Sequence, residues 1–101
     1  MAERTVVWTK TAAKQRREVL KYWLHRNRSA EYPERLINLI TERINLILLN
    51  PEAFVSTSFP ETRISAMGNF SILYKFNNDQ LIITAFWDNR QDPEKLLKLL
   101  R

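Results

Sequence analysis

The apolar positions along the chain follow two rhythms. From Ala12 to Leu24, and again from Leu36 to Leu48, they recur every three or four residues; from Phe70 onward they alternate or run together. The first spacing keeps apolar side chains on one side of a helix, and a spacing of two keeps them on one face of a strand. Ala12, Ala13, Val19, Leu20, Trp23 and Leu24 therefore predict an amphipathic helix, capped by Thr9 or Thr11 and ending near Asn27. Leu36, Ile37, Ile40, Ile44, Ile47 and Leu48 predict a second. Ser29-Ala30-Glu31-Tyr32-Pro33 starts it, because proline's missing N–H is harmless in a first turn, and Asn50-Pro51 stops it. The short connection predicts an antiparallel helix hairpin.

Strand signals flank the hairpin. Thr5-Val6-Val7-Trp8-Thr9 is β-branched and aromatic and predicts a first strand. Residues 51–61, with two prolines and several hydroxyl side chains, predict a loop anchored by Phe54 and Phe59. Thr62–Ser65 is a short strand candidate; Phe70–Phe76 is a stronger one, with Phe70, Ile72, Tyr74 and Phe76 on one face. Asn77-Asn78-Asp79 predicts a hairpin turn, since Asn and Asp tolerate positive φ. Leu81–Trp87 is apolar on both faces and belongs inside a sheet. Asp92-Pro93-Glu94 predicts the cap and first turn of a short terminal helix carrying Leu96, Leu97, Leu99 and Leu100. The expected fold is α+β, in the order β-α-α-β-β-β with a short C-terminal helix: a two-helix hairpin packed on a small, mainly antiparallel sheet, one domain over residues 1–101.

Composition narrows the chemistry. At 101 residues and 45% hydrophobic, the chain can build one modest core. It has no cysteine, which excludes a disulfide framework, a thiolate metal site and a cysteine nucleophile. No cofactor or metal is expected. No segment approaches the roughly 18–20 apolar residues of a membrane span, and Met1-Ala2-Glu3-Arg4 opens no signal peptide, so the expected location is the cytoplasm with no membrane partner. The net charge of +5 is uneven. Lys10, Lys14, Arg16, Arg17, Lys21, Arg26 and Arg28 face a single acid, Glu18, within residues 10–28, and the rest of the chain sums to −1. Such a stripe is either a solvated helix face or an attractor for an anionic partner, nucleic acid or acidic protein.

Certain motifs and their order resemble the RelE/ParE superfamily of toxins from bacterial type II toxin–antitoxin pairs. They are Val7-Trp8 followed by Ala12, the Asn50-Pro51 helix end, Arg63 ahead of Gly68-Asn69-Phe70-Ser71-Ile72-Leu73-Tyr74, and the strand ending in Asn89-Arg90-Gln91-Asp92-Pro93. The Arg-Gln-x-Pro element is common in the ParE-like branch, and the resemblance covers about residues 5–95. It implies a toxin that arrests growth, a disordered antitoxin tail that neutralises it in a heteromeric complex, and a role in plasmid stabilisation. Two activities occur in the superfamily: the RelE-like branch cleaves mRNA on the ribosome, and the ParE-like branch poisons DNA gyrase.

Cleaving RNA through its 2′-hydroxyl needs a base, an acid and cations around the phosphorane. His25 is the only histidine and sits among basic residues of the first helix. RelE-like ribonucleases use arginine, lysine and tyrosine; at the positions of one arginine and the tyrosine, this chain has Ser71 and Leu96. A ribonuclease would be left with Arg63, Lys75 and Arg90 to hold phosphate, and arginine binds phosphate better than it moves protons. The departures favour a ParE-like toxin acting by binding, with gyrase as target. The alternatives are a RelE-like mRNA endoribonuclease and a basic nucleic-acid-binding module. ParE-like toxins also usually carry arginine at the position of Ser71.

Two surfaces are candidates. A sheet end carrying Arg63, Asn69, Asp88, Asn89 and Arg90 would engage the target, or would be local structure with Asp88 paired to an arginine and Asn89 in a turn. A groove between the helix hairpin and the sheet, together with exposed sheet edges, would receive the antitoxin, with Tyr22, Tyr32, Leu39 and Leu46 off the main apolar stripes, or these are peripheral core or scattered surface residues.

Overall fold

In a computed structural model, residues 4–91, 94 and 95 are described. The elements are β1 (Thr5–Trp8), α1 (Lys10–Asn27), α2 (Glu31–Leu49), a 3-10 turn (Pro51–Ala53), β2 (Val55–Ser56), β3 (Arg63–Met67), β4 (Phe70–Phe76) and β5 (Gln80–Asp88). The five strands form one sheet in the order β1-β5-β4-β3-β2. β1 runs parallel to β5, and the other pairings are antiparallel. This is the expected α+β arrangement, with one strand more than the sequence pattern gave. That strand is β2, which pairs only Val55 and Ser56 with Ile64 and Arg63. A strand so short carries no readable period.

The helices form where their stripes fall. Thr9, not Thr11, caps α1: its Oγ1 accepts from the Ala12 N–H at 3.1 Å. Arg28 ends α1 in the left-handed region (φ 49°), an uncommon conformation for a residue with a Cβ. The Ser29 Oγ then accepts from the Glu31 N–H at 3.2 Å as α2 begins. Leu36, Ile40, Ile44 and Ile47 of α2 are buried, with Ala12 of α1, against Met67, Phe70, Ile72, Tyr74, Leu81, Ile83 and Phe86 of the sheet. Ile37, expected in the stripe, is exposed instead.

β5 lies between β1 and β4, as its two apolar faces require. Its pairing with β1 ends at Ile83, where α1 takes over: the Thr9 N–H donates to the Ile83 carbonyl at 3.0 Å and the Phe86 N–H donates to Gln15 Oε1 at 2.9 Å. A side chain of α1 thus satisfies a strand amide on the edge of β5 that β1 no longer covers. Opposite, the β4–β5 register shifts between Leu73 and Tyr74, leaving Thr84 without a partner. The β4–β5 turn forms as expected but by a different device. No residue in it has positive φ; Asn77 Oδ1 accepts from the Asp79 and Gln80 N–H groups, each at 2.8 Å. The terminal helix expected from Asp92 onward, with Leu96, Leu97, Leu99 and Leu100, lies outside the described residues except at Glu94 and Lys95, which are helical.

Candidate functional site: an arginine and aromatic cluster at the end of β5

The end of β5 is fixed by short-range polar bonds. Gly68 takes φ +61° in the β3–β4 turn, which brings Asn69 beside the strand end. The Asn89 N–H donates to the Asn69 carbonyl at 2.7 Å, and Ser71 Oγ donates to Asn89 Oδ1 at 2.8 Å. Ser71 thus holds Asn89 where a ribonuclease would hold phosphate with arginine. The Gln91 N–H donates to the Asp88 carbonyl at 3.0 Å and tightens the turn.

Arg90 is doubly restrained. Its Nε and Nη2 donate to Asp88 Oδ1 and Oδ2 at 3.0 and 2.7 Å, a bidentate pair, and its backbone N–H also donates to Oδ1 at 2.9 Å. These hydrogen bonds from Arg90 are the main reason the Asp88 carboxyl lies below its ordinary range. The same pairing raises the guanidinium further above its own. The guanidinium also lies 5.5 Å from the centre of the Trp23 ring.

Trp23 collects its neighbours. Tyr32 and Tyr22 meet it edge-on at 4.9 and 5.3 Å, Arg26 lies 5.8 Å from its centre, and Arg26 Nη1 donates to the Tyr22 hydroxyl at 3.1 Å. Side chains from α1, α2 and the end of β5 thus form one cluster, in which Tyr22, Arg26 and Arg90 are exposed and Trp23, Tyr32 and Asp88 are half-buried. Tyr22 and Tyr32, expected on the antitoxin surface, and Asp88 and Arg90, expected on the target surface, sit at the same place. Leu39 and Leu46, 41% and 52% exposed, stand apart along α2.

Arg63 and Lys75 do not join the cluster, which corrects the expectation of one sheet end carrying both Arg63 and Arg90. Arg63 pairs with Tyr74, whereas Phe70 pairs with Asp88, so Arg63 lies at the opposite end, about 13 Å away along the strands. There its Nη1 donates to the Phe54 carbonyl at 2.6 Å. Lys75 is on the sheet face away from the helices, as the alternation with Tyr74 and Phe76 dictates. His25 is exposed in the last turn of α1. The three cations a ribonuclease would need are therefore split, and Asp88, the carboxylate nearest Arg90, is occupied by that arginine.

Sequence reading missed Trp23 and Arg26 here by assigning the first to the core stripe and the second to the basic stripe of the first helix. The available signal was local: Tyr22 and Trp23 are adjacent aromatics with an arginine three to four residues on, so all three meet on one helix side. Gln15 was missed as well, and nothing in a polar helical position announces a bond to a distant strand.

The order of elements, the β1–β5 pairing and this arginine-bearing strand end accompany a family match. The model for the ParE toxin of type II toxin-antitoxin system, parDE, matches residues 6–93. The chain belongs to the ParE toxin family. The ParE-type chain resembles a solved structure of the chromosomal ParDE toxin–antitoxin system from P. aeruginosa, with a TM-score of 0.71 at 16% identity, covering 85% of this chain and 96% of that one. It also resembles a structure of the E. coli DinJ-YafQ toxin–antitoxin complex, with a TM-score of 0.54 at 10% identity, covering 86% and 93%. At these identities the likeness is one of fold. No curated protein matches the ParE-type chain by sequence.

Proposed function

We propose that this ParE-type toxin works in the cytoplasm by binding a protein target of the DNA gyrase kind through the Trp23–Arg90 cluster, and that a cognate antitoxin neutralises it. The observation that carries the reading is the state of Arg90. It is held by Asp88 and by a tryptophan face, an arrangement that presents a rigid cationic and aromatic surface. Tyrosine, tryptophan and arginine are the side chains enriched among those that dominate protein–protein binding energy. Proton transfer to and from a ribose is poorly served there, because the neighbouring carboxylate is ion-paired and its affinity for a proton is lowered.

An antitoxin partner is supported by two further features. Leu39, Leu46 and Leu49 are exposed along α2, and α1 carries six lysines and arginines that make no ion pair among the described residues. An amphipathic, acidic tail would cover the first and be steered by the second.

Expression in bacteria tests the reading. Growth should stop, and co-expression of the small protein encoded beside this one should restore it. Cleavage of mRNA by the purified protein in a translating extract would defeat the binding mechanism.

A further inference from the structure

Between the β2–β3 loop and the sheet, beside the first turn of α1, lies a cavity of about 290 Å3 lined by Thr9, Thr11, Phe59, Pro60, Thr62, Lys75 and Thr84. Its chemistry is one-sided. Lys75 is its only ionisable lining residue, is half-buried, and has no carboxylate partner among the described residues. Thr84, at the register shift of β5, has a buried Oγ1 with no hydrogen-bond partner. Thr9 and Thr11 belong to the start of α1, whose first turn contains no acid. Thr9 satisfies the N–H groups of Ala12 and Ala13, which leaves those of Lys10 and Thr11 without helical acceptors. An adjoining cavity of about 460 Å3 shares Phe59, Thr62 and Lys75 and adds Arg63, Asn77 and an acid, Glu61. Glu61 lines this outer space and not the inner one.

A lysine that lines a cavity with no carboxylate beside it leaves its ammonium donors free to take an anion. A helix start, donor hydroxyls and an ammonium group are the elements that hold phosphate. We propose that the inner cavity is a phosphate-binding site, in which Lys75, the first turn of α1 and the hydroxyl of Thr11 receive the phosphate group and Phe59 forms the apolar wall for the group that carries it. The site is separate from the Trp23–Arg90 cluster and stands or falls without it. Its phosphate belongs either to a small ester, such as a nucleotide, or to a nucleic-acid backbone.

Amide NMR of the full chain distinguishes these. Inorganic phosphate, titrated against chloride at matched ionic strength, should shift the amides of Thr11, Thr62 and Thr84 saturably. Lys75→Gln should weaken that response at least tenfold without changing the remaining spectrum, and Thr11→Val should weaken it severalfold. A mononucleotide that binds as tightly as a short single-stranded oligonucleotide assigns the site to small esters. An oligonucleotide that binds tenfold tighter, with a steep salt dependence, assigns it to a backbone. Shifts that chloride reproduces, that spread over the basic face of α1, or that survive Lys75→Gln overturn the proposal.

Discussion

Tyr74 shows how much one side chain settles. It is fully buried, and its hydroxyl donates to the Pro51 carbonyl at 2.6 Å, tying β4 to the turn after α2. Burial pushes the phenol up to about 12, with the charge of Arg63 opposing. In the unfolded chain it ionises near its ordinary value of about 10, so the unfolded state loses this proton first. Stability due to Tyr74 is therefore intact below about pH 10 and declines as pH rises from there toward 12. Tyr74→Phe should remove about 1–2 kcal/mol at neutral pH, by leaving the Pro51 carbonyl unpaired, and should flatten the alkaline decline in denaturant melts. Asp88 behaves in the opposite sense. Its lowered proton affinity means that its contribution is present above the unfolded value and is lost as pH falls through the folded one. In Arg90→Ala the carboxyl should titrate at higher pH, nearer its ordinary range, in side-chain NMR. No movement would mean that Arg90 is not its main partner.

At the scale of elements, packing dominates α2 and conformation dominates its junction with α1. Ile47 is fully buried while Leu49, two positions on, is 82% exposed. Ile47→Ala should cost about 2–4 kcal/mol through the cavity it leaves, and Leu49→Ala less than about 0.5 kcal/mol, both read from urea melts. Arg28 spans the junction with φ 49°. Arg28→Gly should stabilise the fold by about 0.5–1 kcal/mol, since glycine takes this conformation without a Cβ clash. These elements were largely legible in the sequence, because helix stripes and the alternation of Phe70, Ile72, Tyr74 and Phe76 record burial directly. β2 was not, being too short to hold a period. The β4–β5 turn was read correctly as a turn, but its cause is the Asn77 side chain and not positive φ.

For the molecule as a whole, the basic helix, the hairpin and the sheet end bring together groups that the sequence keeps far apart. Arg90 was legible as a candidate because it ends an apolar strand. Its partners were not, because the approach of Trp23, Tyr22 and Tyr32 depends on how α1 and α2 pack beside β5, which no local pattern encodes. Arg63 was misplaced for the same reason: strand register decides which end of a sheet a residue occupies. The described residues contain no helix long and apolar enough to cross a membrane. The central claim is that this ParE-type toxin acts by binding through the Trp23–Arg90 cluster. Supercoiling of relaxed plasmid by purified DNA gyrase tests it most directly, with the wild-type chain compared with a folded Arg90→Ala variant. The expected result is inhibition by the wild type and at least tenfold weaker inhibition by the variant. Equal inhibition by both, or none by either, would contradict it.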